Sequence, residues 1–251
     1  MTGNAARWDR AADQYVRGEH SKGEELEQLP ELVAPRPSDV VLDIGAGAGH
    51  TALRLAPLVS RVVVTDPSDG MLRAAADLFA KVGITNARFE RARAEDLNFD
   101  DGSFDIVTTR LAAHHFEDLE AALREVVRVL KPGGVFFLVD TLAPEDAAIA
   151  AYVNEVESLR DPTHVRCYSR REWLDALRQS GLRVEHVGSA RKTHDFEPWL
   201  ARGGADAANQ ARTRERFLQA SDAAASELEI VVRGGQVESF TDLKLVLTAR
   251  R

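Results

Sequence analysis

The stretch VLDIGAGAGH, residues 41–50, decides the fold of this chain. An apolar run that contains Asp43 ends at Ile44, three glycines then alternate with alanines, and His50 closes the set. Glycine permits positive φ angles and lets a ligand approach the backbone closely. The segment HTALRLAPL that begins at His50 is helix-like, and the first N–H groups of a helix have no partner within it. The pattern therefore predicts a buried strand, a ligand-binding turn and a helix.

The length and composition are those of one soluble globular domain. The chain has 251 residues, of which 44% are hydrophobic and 29% are charged. No segment approaches the roughly 18–20 consecutive apolar residues of a membrane span, and the first residues lack the apolar core of a signal peptide. The single cysteine, Cys167, excludes an intramolecular disulfide and favours a reducing, cytoplasmic location.

The charge balance argues against a nucleic-acid partner. Lysine and arginine total 32, aspartate and glutamate total 40, and the net charge is −8. Nucleic-acid-binding proteins usually carry a basic face, whereas the basic residues here are scattered over short, interrupted segments. We therefore expect a small-molecule partner, and neither nucleic acid nor a membrane.

Strand-like and helix-like segments alternate over the first 140 residues. The strand candidates are mostly short β-branched or aromatic runs, as in strands buried on both faces: residues 39–45, 61–66, 87–93, 104–111 and 134–140. Helices are predicted between them, with start signals at Pro67 and Ser68 and stop signals at Gly83 and Gly133. This alternation predicts right-handed crossovers and a doubly wound, mostly parallel sheet.

The last third of the chain departs from this alternation. Residues 182–192 indicate a strand, a polar helix-prone stretch follows, and the end of the chain predicts a hairpin around Gly234 and Gly235 and then a final strand. We therefore expect one α/β domain over residues 1–251, whose seven-stranded sheet has an antiparallel C-terminal edge strand and helical cap elements. Its parts are an N-terminal helical cap, a cofactor-binding core and two substrate-side insertions: residues 1–38, 39–140, 141–181 and 192–230.

The glycine turn differs from a dinucleotide-binding turn. The dinucleotide pattern is G-x-G-x-x-G or A, in which the third small residue allows close helix–strand packing. This chain has G-x-G-x-G, and His50 stands at the position that should be small. Asp66 ends the second strand 19 residues after Gly47 and can accept hydrogen bonds from both hydroxyls of a ribose. The alternative for Asp66 is an acid that only stabilises the N-terminus of the next helix.

Four motifs, in order along residues 41–140, resemble those of class I S-adenosylmethionine-dependent methyltransferases. They are VLDIGAGAG, VVVTDPSDGML, ARAEDLNFDDGSFDIV and LKPGGVFFLVD. Within this class, the chain resembles the methyltransferase type 11 and ubiquinone/menaquinone-biosynthesis-like subgroup. It implies a Rossmann-like fold and S-adenosyl-L-methionine as the cofactor.

The same resemblance implies roles for residues around the methionine and ribose parts of the cofactor. Gly45, Ala46 and Gly47 line these parts, and Asp43 supports the turn. Asp66 binds the ribose diol.

Other positions are implied to contact the adenine and the methionyl end. Pro67 and Met71 pack on the adenine, and Ala94 and Glu95 lie at its edge. Arg110 lies near the methionyl end, and Tyr15 closes over the cofactor. Many relatives have an aspartate two residues before this glutamate, and Arg93 stands there instead. Either Glu95 or a backbone carbonyl then takes the adenine amino contact, or Arg93 points away.

The candidate catalytic residues follow the fourth and fifth strands. Methyl transfer from a sulfonium requires alignment and exclusion of water, and requires a base only if the acceptor must lose a proton. His114, His115 and Asp140 are the candidate bases. The alternative is that the histidines begin a helix or pack, and that Asp140 caps the next segment. We expect no metal, because adjacent histidines are not a typical chelating pair.

His164 and Arg166 are candidate substrate contacts, because they lie in an insertion after the fifth strand. The alternative is a structured turn in which Ser169 caps the helix that follows. The leading functional hypothesis is methyl transfer from S-adenosylmethionine to a small-molecule acceptor by in-line displacement. The alternatives are an NAD-dependent oxidoreductase of similar fold and an S-adenosylmethionine-binding protein without methyl transfer.

Overall fold

The structure, a computed structural model, describes residues 23–251. Its strands are β1 Val40–Ile44, β2 Arg61–Asp66, β3 Ala87–Arg91, β4 Phe104–Arg110, β5 Leu130–Thr141, β6 Arg183–Asp195, β7 Val231–Arg233 and β8 Gln236–Arg250. Its α-helices are α1 Glu24–Val33, α2 His50–Leu55, α3 Asp69–Lys81, α4 Leu119–Val129, α5 Ala147–Arg160, α6 Arg170–Gln179, α7 Phe196–Arg202, α8 Ala207–Leu218 and α9 Asp222–Glu227. Of the predicted N-terminal cap, only the part from residue 23 is described, and Tyr15 lies outside it.

The sheet has the predicted α/β topology. Seven strands form one continuous order, β3-β2-β1-β4-β5-β8-β6, and the short β7 pairs with β8 as an eighth strand. The first five strands pair in parallel, and β7 and β8 are antiparallel. Strand order reverses at β1, which lies between β2 and β4. In doubly wound sheets the ligand crevice lies at this switch point, beyond the carboxyl ends of the strands.

One detail of the C-terminal prediction was wrong. The second hairpin strand and the final strand are one continuous strand, β8, because no turn interrupts residues 236–250. The predicted antiparallel C-terminal edge is confirmed: β8 lies between β5 and β6, and β7 pairs with it in antiparallel orientation.

The chain divides into two compact units. The first comprises Met1–Asp140, Leu174–Gly188 and Val246–Arg251, and the second comprises Thr141–Trp173 and Ser189–Leu245. The predicted core, residues 39–140, falls entirely within the first unit. Most of the two predicted insertions falls within the second unit, and their substrate-side role stays a prediction.

The first unit is built on strands that are buried on both faces, as their apolar composition predicts. Val41 and its neighbours across the register, Val62 and Ile106, belong to one apolar cluster together with residues of α1, α2 and α3. The next position along, Leu42, aligns with Val107 on β4 and is equally buried. Because successive side chains alternate between faces, helices must cover both sides of this sheet.

The second unit has an aromatic core. Phe196 and Trp199 on α7 pack with Phe217 on α8 and with Phe240 on β8. The ring centroids of these pairs are 4.7–5.5 Å apart and the rings meet edge to face, which is a favourable arrangement for aromatic side chains. The guanidinium of Arg160 lies 4.5 Å above the Trp199 ring and covers it.

Ser169 caps α6, as the structured-turn alternative for His164 and Arg166 expects. The Glu172 backbone N–H donates to the Ser169 hydroxyl at 3.3 Å, and the Ser169 N–H donates to the Glu172 carboxylate at 2.8 Å. This reciprocal pair is a capping box, which satisfies two backbone donors at the start of the helix. Within residues 23–251, every helix is too short or too polar to cross a membrane.

Candidate functional site

In the turn after β1, left-handed glycines alternate with alanines that are not left-handed. Gly45, Gly47 and Gly49 have φ angles of 62°, 53° and 79°, which residues with a Cβ rarely adopt. The Ala46 N–H donates to the Thr65 carbonyl at 2.9 Å and fastens the turn to β2. The alternation of glycine with alanine therefore produces a tight backbone turn at the end of β1.

The three glycines differ in what surrounds them. A Cβ on Gly45 would lie 2.8 Å from the Ala112 Cβ, and one on Gly49 would lie 3.0 Å from the Phe79 ring. Gly45 and Gly49 are therefore required by packing within the protein. Among residues 23–251, a Cβ on Gly47 would meet nothing within 4 Å, so within this part of the chain the glycine borders open space. A ligand of the switch point can approach the backbone at Gly47.

Asp66 joins the ends of β1 and β2. Its Oδ2 accepts the Gly47 N–H at 2.9 Å, and its Oδ1 accepts the Ser68 N–H at 2.9 Å. The N-cap of α3 is Ser68, whose hydroxyl accepts the Met71 N–H at 3.1 Å. Ser68 therefore caps α3, and Asp66 bonds both to the residue that caps the helix and to the glycine turn. Ribose binding by Asp66, and its alternative role of stabilising the helix N-terminus, both stay predictions.

Asp43 lies near the end of β1, just before the glycine turn. Its carboxylate is 1% exposed and accepts the Thr108 hydroxyl at 2.7 Å and the Ala52 N–H at 3.1 Å. One carboxylate thus joins β1, β4 and the first turn of α2. Burial raises its pKa to about 6, and the hydrogen bonds from Thr108 and Ala52 oppose that rise.

Arg110 ends β4 and forms a buried ion pair with α1. Its guanidinium lies 3.0 Å from the Glu25 carboxylate and donates to the Thr51 hydroxyl at 3.3 Å. The side chains of Arg110 and Glu25 are 5% and 13% exposed. Burial lowers the pKa of Arg110, and Glu25 and Asp43 oppose that shift. Sequence reasoning missed Glu25, because an acid in the first turn of a helix looks like an ordinary helix-start signal.

At the predicted adenine edge, one arginine forms ion pairs with two glutamates. The Arg93 guanidinium lies 2.8 Å from the Glu117 carboxylate and 3.5 Å from that of Glu95. Glu95 Oε1 accepts the backbone N–H groups of Glu117 and Asp118 at 2.7 and 3.4 Å. Arg93 is thus bound to acidic partners, while Glu95 organises the residues that precede α4.

The other predicted adenine contacts differ in exposure. Met71 is 2% exposed and Ala94 is 5% exposed, whereas Pro67 is exposed at the end of β2. That these residues contact adenine stays a prediction.

His114 and Asp140 form a hydrogen-bonded pair at the ends of β4 and β5. The His114 Nδ1 lies 2.6 Å from Asp140 Oδ1, and the His114 backbone N–H donates to Oδ2 at 2.7 Å. Asp140 is 1% exposed, so one buried carboxylate fixes both the backbone and the ring of His114. The His115 ring centroid lies 4.1 Å from that of His114. Sequence reasoning named all three residues but did not predict this pairing.

The contacts of His164 and Arg166 are those of a structured turn. The His164 Nε2 lies 3.0 Å from the Asn154 side-chain oxygen, which also accepts the Cys167 N–H at 2.7 Å. Arg166 forms an ion pair with Glu172 and lies 4.9 Å from the centroid of a neighbouring tyrosine ring. These bonds attach the turn to α5 and α6. Substrate contact by His164 and Arg166 stays a prediction.

Known proteins share this fold and much of this sequence. A family model described as a methyltransferase domain matches residues 42–138. The uncharacterized methyltransferase YcgJ of Bacillus subtilis (strain 168) is 40% identical over 228 residues, 90% of each chain. Its crystal structure matches with a TM-score of 0.88 at 37% identity and covers 93% of this chain and 99% of that one.

Two further relatives extend this comparison. The crystal structure of BH2331 from Bacillus halodurans C-125 has a TM-score of 0.88 at 33% identity, and covers 91% of this chain and 99% of that one. The ubiquinone/menaquinone biosynthesis C-methyltransferase UbiE of Ectopseudomonas mendocina (strain ymp) is 34% identical over 150 residues, 58% of each chain. The similarity to YcgJ and BH2331 therefore spans both units, and that to UbiE spans about half of the chain.

The glycine turn yields a prediction that separates packing from ligand binding. Alanine at Gly47 or at Gly49 costs roughly 1 kcal/mol through the left-handed φ. Gly49→Ala is expected to lower the free energy of unfolding by about a further 1–3 kcal/mol, because its Cβ overpacks Phe79. Gly47→Ala is expected to leave the chain folded and to weaken the binding of S-adenosylhomocysteine. Urea unfolding and isothermal titration calorimetry measure the two effects, and equal stability losses would contradict the assignment.

Asp43 yields a prediction about pH. Its pKa in the fold, about 6, lies above the ordinary value of 3.8, so the folded chain binds a proton before the unfolded chain does as pH falls. Wild type should therefore gain about 1 kcal/mol of stability relative to Asp43→Asn between pH 7 and pH 5. The asparagine is uncharged and retains an acceptor for Ala52 and a donor toward Thr108. Urea unfolding at both pH values tests this, and an unchanged difference between the two proteins would refute it.

Proposed function

The chain belongs to the methyltransferase-domain family and is an S-adenosylmethionine-dependent methyltransferase, and on that premise we propose that it methylates a small-molecule acceptor by in-line displacement. The observation that carries the proposal is the open face of Gly47 at the switch point, with the Asp66 carboxylate bonded beside it. A backbone without a Cβ next to a carboxylate suits a ribose, which offers two hydroxyl donors. The residues present therefore fit the cofactor of this family.

The proposed cofactor site is formed by the turn, the end of β2 and the end of β4. Gly45, Ala46 and Gly47 would line the ribose and methionine parts, and Asp66 would bind the ribose diol. Bound S-adenosylmethionine supplies the electrophilic methyl group on its sulfonium. The protein's task is to orient that methyl group toward the acceptor and to exclude water.

Arg110 would bind the carboxylate of the methionyl end. Its guanidinium is already oriented by Glu25 and Thr51, and the planar fork of five N–H donors suits recognition of a carboxylate. Ala94 and Glu95 are proposed to lie at the adenine edge, with Pro67 and Met71 near the ring. The backbone around Ala94, rather than Arg93, would meet the adenine amino group, because Arg93 is paired with Glu117.

The proposed general base is His114. Because Nδ1 faces the Asp140 carboxylate at 2.6 Å, the neutral ring carries its proton on Nδ1 and its basic lone pair on Nε2. Asp140 then stabilises the imidazolium that forms when Nε2 takes a proton, as the carboxylate of a catalytic triad does. His114 would act in this way on an acceptor hydroxyl or amine as its oxygen or nitrogen attacks the methyl group. Asp140 is a positioning residue in this proposal, and His115 packs against the base.

The acceptor is proposed to be held by the substrate-side insertions. His164 and Arg166 lie in the first insertion, and their turn would present polar groups to an acceptor. The UbiE relative is named as a C-methyltransferase of ubiquinone and menaquinone biosynthesis, and its match covers 58% of this chain. Because acceptor pockets come from the variable segments, that name does not give the acceptor of this chain. A cytoplasmic location is part of the proposal and follows from the single cysteine.

The ribose role of Asp66 is tested by binding. Asp66→Ala should weaken S-adenosylhomocysteine binding by about 1–3 kcal/mol, because a buried hydrogen-bond partner is lost. Asp69→Ala, an exposed acid three residues later, is the matched control and should bind as wild type does. Calorimetry with S-adenosylhomocysteine and NAD measures both variants. Unchanged S-adenosylhomocysteine affinity in Asp66→Ala would overturn the proposal. Micromolar NAD binding by the wild type without S-adenosylhomocysteine binding would overturn it as well.

The role of the His114–Asp140 pair is tested by turnover. A screen of small molecules with methyl-labelled S-adenosylmethionine identifies an acceptor, and the variants are compared on it. His114→Gln should lower kcat by about 10²–10⁴-fold for an acceptor that must lose a proton, with S-adenosylhomocysteine affinity unchanged. His186→Gln, at an exposed position on β6, is the control. Wild-type kcat in His114→Gln would refute a base at this position, and a wild-type enzyme that methylates no acceptor would favour a binding protein instead.

A further inference from the structure

The second unit contains a buried polar cluster that the proposed methyl transfer does not use. Asp242 and Lys244 lie on β8, His194 lies on β6 and Thr141 ends β5. The Lys244 ammonium donates to Asp242 Oδ2 and to the Thr141 hydroxyl, each at 2.7 Å. The His194 Nε2 lies 3.1 Å from the same Asp242 oxygen. These four side chains form the β8 polar cluster.

Two buried atoms of the β8 polar cluster make no hydrogen bond within the described part of the chain. Asp242 Oδ1 and His194 Nδ1 are shielded from solvent and have no hydrogen-bond partner among residues 23–251. The side chains of Asp242 and His194 are 8% and 6% exposed. A buried polar atom without a partner destabilises the fold, so two such atoms in one cluster indicate that a bound molecule supplies the missing bonds.

The bonding pattern defines what these two atoms can bind. Lys244 and His194 both donate to Asp242 Oδ2, so the neutral His194 ring has its proton on Nε2 and a lone pair on Nδ1. Asp242 Oδ1 is a carboxylate oxygen and accepts only. Both atoms therefore call for a ligand that donates hydrogen bonds, such as a hydroxyl or an amine.

The charge of the β8 polar cluster excludes other ligand classes. The Lys244 ammonium is neutralised by Asp242 and already donates two of its three hydrogens. An anionic carboxylate or phosphate would face the Asp242 oxygen and be repelled. A cation would lose its hydration shell on binding, and a cluster whose net charge is near zero would not compensate for that loss. A neutral hydroxyl meets neither penalty.

The surroundings of the β8 polar cluster are aromatic. The His194 ring stacks on Phe240 with centroids 5.1 Å apart and an angle of 26° between the planes. Phe240 in turn packs against Trp199 and Phe217. A hydroxyl that reaches Asp242 would therefore be carried by an apolar or aromatic body.

We propose that the β8 polar cluster is a hydroxyl-binding site, in which Asp242 Oδ1 accepts a hydrogen bond from the alcohol or phenol group of a small apolar or aromatic molecule. The inference goes beyond the proposed function and assigns a ligand class to the second unit. Burial opposes ionisation of Asp242, but the Lys244 ammonium and the His194 bond hold its pKa well below the ordinary range. Asp242 thus remains ionised and binds the hydroxyl without removing its proton.

The test compares two probes that differ in one donor. Phenol donates a hydrogen bond and anisole, its O-methyl ether, does not. The full chain is titrated with each probe by calorimetry, with and without saturating S-adenosylhomocysteine. Wild type is expected to bind phenol at least tenfold more tightly than anisole. Equal affinities for the two probes in wild type would overturn the inference without recourse to any variant.

Asp242→Asn is the decisive variant. Because Lys244 and His194 donate to one side of the carboxylate, the asparagine oxygen should occupy that side and its NH₂ group should replace Oδ1. A hydrogen-bond donor thereby replaces the hydrogen-bond acceptor at this position. The variant is expected to bind phenol and anisole with about equal affinity. Asp195→Asn, an exposed aspartate next to His194, is the matched control and should keep the wild-type preference.

S-adenosylhomocysteine affinity, measured on the same samples, separates the possible failures. If Asp242→Asn keeps both S-adenosylhomocysteine affinity and the phenol preference, the hydroxyl-binding site is wrong and the proposed function stands. If wild type binds phenol selectively but does not bind S-adenosylhomocysteine, the proposed function is wrong and the site is kept as a hydroxyl-binding site. If Asp242→Asn does not fold, the wild-type comparison of phenol with anisole decides.

Discussion

The hydrogen bond from the Gly47 N–H to Asp66 Oδ2 is the interaction on which the candidate site depends. It joins the turn after β1 to the end of β2, at the point where the strand order reverses. The bond needs a left-handed glycine at residue 47 and an acid at the last position of β2. It also needs β1 and β2 in register, which their buried valines provide. The site is therefore a consequence of the sheet, and a shift of β2 by one residue would remove it.

Much of the fold could be predicted from the sequence because its signals are local. The alternation of apolar strands with amphipathic helices indicated the parallel sheet, and the glycine pattern indicated the turn. Gly49 shows why G-x-G-x-G differs from the dinucleotide pattern. The residue that must be small for packing on Phe79 is the third glycine itself. The residue after it can therefore be larger, and His50 begins α2. The extent of β8 was missed, because turn residues mark where a strand stops and none interrupts residues 236–250.

The contacts that define the chemistry could not be predicted, because they join residues far apart in the chain. Glu25 meets Arg110 across 85 positions, and His114 meets Asp140 across 26. Sequence motifs selected Arg110, His114 and Asp140, but a motif does not show which partner a side chain has. Arg93 is the reverse case: the sequence showed a departure from the pattern, and only its ion pair with Glu117 explains where the guanidinium goes.

Two buried aspartates show how the environment, rather than the residue type, sets the chemistry. Asp43 is bound by a hydroxyl and an amide, which are neutral, so burial dominates and its pKa rises to about 6. Asp242 is bound by the Lys244 ammonium, so its pKa falls although it too is buried. The first carboxylate is a structural support whose charge costs stability. The second keeps its charge under all ordinary conditions, which suits an anchor and not a base.

The glycine turn is also connected to the His114–Asp140 pair, through Leu111 and Ala112. Leu111 has a φ angle of 55°, a conformation that costs a non-glycine residue about 1 kcal/mol or more, and its N–H donates to the Val139 carbonyl at 2.7 Å. This left-handed step ends β4 and directs the chain to Ala112, whose methyl group occupies the place that a Cβ on Gly45 would need. Two residues later the chain reaches His114. Gly45 is thus required by the residues that lead to His114, so the turn after β1 and the proposed base are coupled through Ala112.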